Sequence, residues 1–333
     1  MIIGIDANEA NLTQNRVGIN EYAYNLLWAL SQLKTKHQFV IYLKNPPQKD
    51  LPDLNYRVIP FFKLWTQTRL PLDLYIHNPR PDVFFSMTHY APRFAPMPTV
   101  VSIMDLGFLS TPDQFTAKDF NQLKSWTTYS IKNASKVMAI SDYTRDAIIK
   151  IYNKNPTDVI TAHLACNPAI DGPVHNKSVL KKYGISKPYF IFVGSLKPSK
   201  NVEGLVKAFA KLDENYNLVI VGKKAWLYAG IFGLVRSLKL DERVVFTGFV
   251  EEWEKQVLLS ESMAFVLPSF VEGFGIPILE AMVCQTPVVV SAVASLPEVA
   301  STAGIYVQPD DIDSITAGMQ KAVTDREKFV KLG

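Results

Sequence analysis

Residues 269–282 read SFVEGFGIPILEAM, directly behind the apolar run 264–267 (AFVL). The run has the length of a strand, the loop after it holds Gly273 and Gly275, and Pro277 stands near the first turn of an apolar helical segment, where proline is favoured. Strand, glycine loop and helix in this order make an anion cradle. The glycines let the backbone turn tightly and approach a ligand, while the free N–H groups and the dipole of the helix start attract negative charge. Glu272 lies in the loop and Glu280 lies about one turn into the helix, where carboxylates suit sugar or ribose hydroxyls because a charged acceptor makes the stronger hydrogen bond. By spacing alone the same residues also read as an ordinary turn and a solvated helix position.

Outward from this unit the same alternation fills the chain. Short β-branched runs alternate with longer segments of three- and four-residue apolar spacing, the pattern of parallel sheets with crossover helices. Strands are expected at 2–6, 39–43, 56–60, 83–85, 99–103, 136–140 and 159–162, and again at 189–193, 218–221, 244–247, 264–267, 287–290 and 305–307. Helices are expected over 19–33, 116–133, 142–152, 225–238 and 312–331. The pattern breaks at 166–177 (CNPAIDGPVHNK), a stretch of prolines, glycine and turn formers, so the domains are expected at 1–170 and 171–333. The predicted class is α/β, with two Rossmann-like, doubly wound parallel sheets facing across a cleft. Such sheets bind ligands beyond the carboxyl ends of their strands.

A length of 333 residues suits two domains of roughly 150 residues better than one. With 48% hydrophobic and 20% charged residues the chain falls outside the collagen-like, low-complexity and disordered classes. Its 35 basic and 31 acidic residues are scattered, which gives no footprint for nucleic acid. Cys166 and Cys284 stand apart, without CxxC or a histidine cluster to hold a metal, as expected in a reducing cytoplasm. The start, MIIGID, lacks the basic and apolar regions of a signal peptide. The longest apolar stretch, 225–235, is about 11 residues, well short of the roughly 20 that cross a bilayer. No GxGxxG follows the first strand, which disfavours a nicotinamide-dependent dehydrogenase.

The segment EGFGIPILE, with Glu272 and Glu280 as a Glu-x7-Glu pair, resembles the retaining glycosyltransferases of family 4, the glycosyl transferases group 1, and their mannosyltransferase-like members. Residues 286–290 (TPVVV), 295–299 (SLPEV) and 190–201 (FIFVGSLKPSKN) are similar to the same family, strongly over about 189–310 and more loosely before that. The resemblance implies a GT-B fold, with an acceptor held mainly by the first domain and a nucleotide-sugar donor mainly by the second. It implies Glu280 on the ribose hydroxyls, Glu272 near the transferred sugar, and backbone N–H groups of Phe274, Gly275 and Ile276 toward sugar and phosphate. Lys200 would contact the donor pyrophosphate and, with Glu272, carry the catalysis; its place between a strand end and a helix start is phosphate-facing in its own right. Ser195 stands on the donor side where an arginine is common, which leaves more of the charge neutralisation to Lys200 and helix dipoles.

In the first domain Gly18, at the start of the first helix, resembles the family glycine that allows close approach of donor phosphate or acceptor; a simple loop glycine is the other reading. Met104 and Asp105 end a strand where many family members have histidine and aspartate. Asp105 is expected to face the acceptor, and His89, in the preceding loop, either fills part of the space of the missing histidine or is structural. Residues 141–145 (SDYTR) resemble a Ser-Glu-x-Ser-Arg element, so Ser141 is expected near the sugar, although Ser141 or Asp142 also suits a helix N-cap.

The expected function is transfer of a sugar with retention, from GDP-mannose or a UDP-sugar to a glycan or lipid-linked acceptor in polysaccharide biosynthesis. No Asp-x-Asp pair is read as a metal holder after a strand, so neither an essential metal nor a cofactor beyond the donor is expected. The large apolar residues of 225–238 leave open a peripheral contact at the inner face of the membrane. The alternative is a catalytically silent GT-B subunit that binds nucleotide or glycan and supports a partner enzyme, as Met104 and Ser195 would allow. Family members usually carry one more helix that crosses back to the first domain; with the last helical segment ending near Gly333, the chain is expected to stop before it.

Overall fold

The computed structural model describes residues 1–12, 16, 18–60, 63–112, 115–167, 170–222 and 229–333. Two compact units result, Met1–Leu164 and Ala165–Gly333. Their division precedes the expected boundary at 170/171 because Cys166 and Ile170 already pack into the second hydrophobic core.

The first unit is a seven-stranded sheet of order β3-β2-β1-β4-β5-β6-β7, every pair parallel. Its strands are β1 (Ile2–Asp6), β2 (Gln38–Leu43), β3 (Asn55–Val58), β4 (Val83–Ser86), β5 (Thr99–Ile103), β6 (Lys136–Ala139) and β7 (Val159–Thr161). Helices α1 (Ile19–Ser31), α2 (Arg69–Ile76), α3 (Ala117–Asn133) and α4 (Asp142–Tyr152) cover both faces. Alternation along β2 shows how. Ile41 joins the cluster of Leu27 from α1, whereas its neighbour Tyr42 points the other way into the cluster of Leu70 and Leu74 from α2.

The second unit repeats the plan with six parallel strands in the order β10-β9-β8-β11-β12-β13. They are β8 (Tyr189–Val193), β9 (Asn217–Val221), β10 (Val244–Gly248), β11 (Ala264–Leu267), β12 (Val288–Ser291) and β13 (Gly304–Val307). Its helices are α5 (Lys177–Lys182), α6 (Val202–Phe209), α7 (Ala229–Ser237), α8 (Glu252–Ser260), α9 (Ile276–Val283), α10 (Leu296–Ala300), α11 (Ile312–Thr324) and α12 (Arg326–Leu332). In both units the strand order reverses beside the first strand, at β1/β4 and at β8/β11, which is the switch point where open α/β sheets bind ligands.

Each expected strand is present, its ends displaced by at most two residues. The single helix expected over 312–331 is instead two, interrupted at Asp325, because Phe329 packs into the core and the Arg326 guanidinium donates to the carbonyls of Ser262 and Met263, anchoring a separate last segment. Of the apolar segment 225–238, residues 225–228 lie outside the described residues. In α7, Ile231 and Val235 are core, Leu234 packs against it, and Phe232 stacks on Phe246 at 4.3 Å. The outward apolar face expected there is therefore spent inward over this part. Among the described residues no helix is long and apolar enough to cross a membrane.

Candidate active site

Because β8 and β11 are neighbours, the loops that leave their carboxyl ends meet. The β8 loop starts at Gly194, whose carbonyl oxygen would lie 1.9 Å from a Cβ on Gly222; only glycine fits at Gly222, where φ is +147°. Ser195 follows, half-buried, its carbonyl accepting the Lys197 N–H at 2.9 Å. The loop then makes a 3-10 turn over Pro198–Lys200 and ends at Asn201, left-handed at φ 54°, whose side chain caps α6 by accepting the Gly204 N–H at 3.2 Å. The Phe270 N–H donates to the Ser199 carbonyl at 2.9 Å and so ties the two loops together.

Across this tie the Lys200 ammonium forms an ion pair with the Glu272 carboxylate, both side chains largely buried. Ser269 donates to the same Glu272 oxygen at 3.2 Å. The fully buried Ser295 hydroxyl is within hydrogen-bonding distance of the carbonyls of Glu272 (3.0 Å) and Phe274 (3.3 Å), holding the glycine loop from below. Gly275, left-handed at φ 99°, is the N-cap of α9; no side chain caps that helix, and Pro277 stands in its first turn. Phe274 is buried and Ile276 half-buried at the same helix start.

Glu280 is no solvated helix residue. It is 5% exposed, and its Oε1 accepts from Lys255 Nζ at 2.8 Å, while Lys255 also pairs with Glu252 at 2.6 Å. Burial works to lower the Lys255 pKa, but the two carboxylates outweigh it and hold the ammonium above its ordinary value. Beside this trio burial, and next the Glu280 charge, push the Cys166 thiol up to about 11; Cys284 is shifted upward too, first by burial. Both cysteines are free thiols. Little in the sequence marks Lys255, which stands in the charged run 251–255 (EEWEK); Ser269 and Ser295 likewise carry no mark as supports of the glycine loop.

In the first unit His89 follows β4 in a left-handed conformation, φ 30°, rare outside glycine and typical of constrained sites. Its N–H donates to the Ser102 carbonyl at 2.9 Å. The ring is buried, its Nδ1 has no hydrogen-bond partner among the described residues, and burial lowers its pKa against the opposing charge of Asp105. Asp105 accepts the Gly107 N–H at 2.8 Å, and Met104 before it is buried. Ser141 takes the helix-cap role: it accepts the Thr144 N–H at 3.1 Å at the start of α4. Gly18 is the N-cap of α1 at φ 54°, and among the described residues a Cβ there would meet nothing within 4 Å. The structure thus brings His89 and Asp105 together, sets Ser141 between β6 and α4, and gives Gly18 the positive φ of a helix N-cap.

Asp6, which closes β1, was not singled out by sequence. Burial pushes its carboxyl up to about 6; hydrogen bonds from the Asn8 N–H (3.2 Å) and Nδ2 (2.7 Å) oppose this, and the Glu9 charge adds to it. An aspartate in the unfolded chain titrates near 4, so between about pH 4 and 6 the folded protein keeps a proton that the unfolded chain has lost. The stability this group contributes is present at low pH and is lost as pH rises through 6. Thermal unfolding of Asp6→Asn beside wild type should show a Tm difference, variant minus wild type, that grows from pH 4 to 7. A difference independent of pH would mean that the Asp6 carboxyl is not desolvated.

One sequence expectation needs correction. An Asp-x-Asp triplet does follow a strand, Asp311 to Asp313 after β13, but its carboxylates are engaged: Asp311 caps α11 by accepting the N–H groups of Asp313 (2.9 Å) and Ser314 (3.1 Å), and Asp313 pairs with Lys211.

Two Rossmann-like sheets with these strand orders define the GT-B class of α/β proteins. The structure of HepE from Anabaena in complex with UDP and glucose superposes with a TM-score of 0.77 at 17% identity, covering 100% of this chain and 92% of that one. Residues 177–333 match the family described as Glycosyl transferases group 1. Over this segment, nearly all of the second unit, the chain is of that family. It is 31% identical over 233 residues to O-antigen chain mannosyltransferase B of Escherichia coli, covering 68% of this chain and 61% of the relative. It is 30% identical over 211 residues to O-antigen chain mannosyltransferase RfbU of Salmonella typhimurium, covering 63% and 57%. The chain thus spans about 60% of the length of these curated relatives.

Proposed function

We propose that this chain is a retaining glycosyltransferase of the cytoplasm that moves a sugar, in the first instance mannose from GDP-mannose, to a glycan or lipid-linked acceptor of an O-antigen-like polysaccharide. The observation that carries the reading is the meeting of Lys200, Glu272 and the uncapped start of α9 at the β8/β11 switch point. Family membership and the mannosyltransferase relatives support the choice of reaction and sugar.

When the glycosidic bond breaks, negative charge grows on the β-phosphate. A group fixed beside that phosphate lowers the barrier to the extent that it binds the developing charge better than the ground state. Lys200 and the N–H groups opening α9 supply such a field without a divalent ion, so transfer is expected to proceed in chelator. The arriving diphosphate takes the ammonium from Glu272, whose carboxylate then turns to hydroxyls of the sugar. Glu280, held in place by Lys255, accepts from the ribose hydroxyls. In the first unit His89 and Asp105 face the acceptor; Met104 neither gives nor takes a proton, so retention rests on donor phosphate oxygens and acceptor positioning.

The test is release of nucleoside diphosphate from GDP-mannose and from UDP-sugars, with EDTA present and with lipid-linked and free glycan acceptors, followed by NMR of the anomeric centre. Turnover with an α-linked product supports the proposal. An inverted product or strict metal dependence would overturn the mechanism. Nucleotide binding without turnover on any acceptor would favour the silent subunit, for which Met104 and Ser195 speak.

A further inference from the structure

The loop that follows β4 is strapped along α3. The Ala91 N–H donates to Ser130 Oγ at 2.8 Å and the Phe94 N–H donates to the Tyr129 hydroxyl at 3.0 Å, so one helix holds this loop at two points. Two of its non-glycine residues, His89 and Phe94, are nevertheless left-handed, at φ 30° and 54°, and Phe94 carries its ring 73% exposed. A large apolar side chain fixed outward on strained backbone marks a contact surface rather than loose packing. Around it aromatic rings form a row. His89 meets Tyr90 at 6.3 Å between ring centroids, and Tyr90 meets Trp126 in a T-shaped pair at 5.2 Å. Tyr129 follows Trp126 by three residues on the same side of α3 and meets Phe94 at 6.4 Å. Among the described residues Tyr90, Phe94, Trp126 and Tyr129 belong to no hydrophobic core cluster, and all four keep part of their surface in solvent.

Polar groups stand at both ends of the row. At one end burial, and next the charge of Glu9, push the Tyr90 hydroxyl above its ordinary pKa, which puts the exposed Glu9 carboxylate, itself bound by Asn20 Nδ2 at 2.6 Å, beside that ring. At the other the Arg93 guanidinium lies over the Tyr129 ring, 4.9 Å from its centroid, so a fork of donors accompanies the exposed Phe94. Aromatic rings flanked by a carboxylate and a guanidinium have the chemistry of pyranose recognition. The C–H face of a sugar is apolar and weakly positive and stacks on the negative face of a ring, while charged groups take its hydroxyls. Several rings in a row suit several sugars in succession. We infer that the row from Tyr90 through Trp126 and Tyr129 to Phe94 is an oligosaccharide subsite, holding the sugars of the acceptor that lie behind the one being extended at His89 and Asp105. The link to transfer rests on the function proposed above; the binding itself stands on the first unit alone. It commits the acceptor to a glycan of several residues, not a lipid carrier without sugar.

The experiment is a saturation-transfer NMR titration of the whole chain, without donor, against manno-, gluco- and galacto-oligosaccharides of one to five residues, followed by initial rates with GDP-mannose and the same sugars as acceptors. In at least one series affinity should rise about tenfold between one residue and three, as further rings are engaged. Phe94→Ala should lower the trisaccharide affinity about fivefold, the worth of one aromatic contact, and the loss should fall on the acceptor KM rather than on kcat. Phe94→Tyr should keep the affinity, whereas Phe94→Leu, as apolar but without a ring, should lose it. Affinity independent of chain length in every series, or a Phe94→Leu variant that binds as well as wild type, would overturn the inference. So would a row that binds phospholipid vesicles and none of the sugars. Should Phe94→Ala lower the Tm, the length series of the wild type still decides. Because binding is read without donor, the two readings fail separately. Length-dependent binding without transfer keeps the subsite and removes the reaction; transfer with one KM for short and long acceptors keeps the reaction and removes the subsite.

Discussion

Replacing Lys200 with alanine should lower turnover by about 10²–10³-fold, the cost of removing one strong stabiliser of charge that develops in the transition state. The fold should hold, because Glu272 keeps its hydrogen bond from Ser269 and the loop keeps the support of Ser295 beneath it. On the proposed reaction the loss should fall mainly on kcat, since the β-phosphate carries more charge as the bond breaks than it does in the bound donor. Single-turnover release of nucleoside diphosphate separates the two effects. A variant with wild-type kcat would move the stabilising role to the start of α9.

The second large effect is expected at a residue that sequence reading passed over. Lys255→Met leaves Glu280 buried without its cation, a break that costs about 3–5 kcal/mol in other proteins; the lower end is expected here because Glu252, more exposed than Glu280, can turn to water. Glu280→Gln by itself should weaken nucleotide binding by about 1.5–3 kcal/mol in calorimetry, the worth of a hydrogen bond to a charged group. The double variant, with both members of the pair replaced, should regain much of the stability and none of the affinity. Recovery of both would show that Glu280 is structural and leave the ribose without a partner.

Much of this was legible in the chain because parallel strands buried on both faces are written as uninterrupted runs such as YFIFV (189–193) and AFVL (264–267), and their order places each following loop at the ligand end of a sheet. That is how Lys200 and Glu272, 72 positions apart, could be assigned to one neighbourhood. The boundary of the second unit was less legible, since Ile170 belongs to the second core although it sits in a stretch rich in turn formers. Helix α2 was missed for a different reason: with Leu70 and Leu74 inward and Leu72, Tyr75 and Ile76 outward, it lacks the polar stripe by which an amphipathic helix is recognised. Lys255 and Ser295 were invisible because a lysine in a charged helix and a serine before a proline-bearing turn carry no mark of what folding brings beside them. His89 was readable as a choice between two roles, and only its buried, unpartnered Nδ1 and left-handed backbone favour the functional one.

The ion pair between Lys200 and Glu272 has a consequence for the rhythm of the proposed cycle. An empty phosphate site built from cations alone would hold its nucleoside diphosphate product as firmly as it seized the donor. Here the protein carries its own rival for the ammonium, tethered a bond rotation away. Each arriving diphosphate must displace that carboxylate, and each departing one is helped off when the carboxylate returns. Some affinity is given up at both ends of the cycle, and in exchange the site resets itself, so that a spent nucleotide need not be competed out by the next donor.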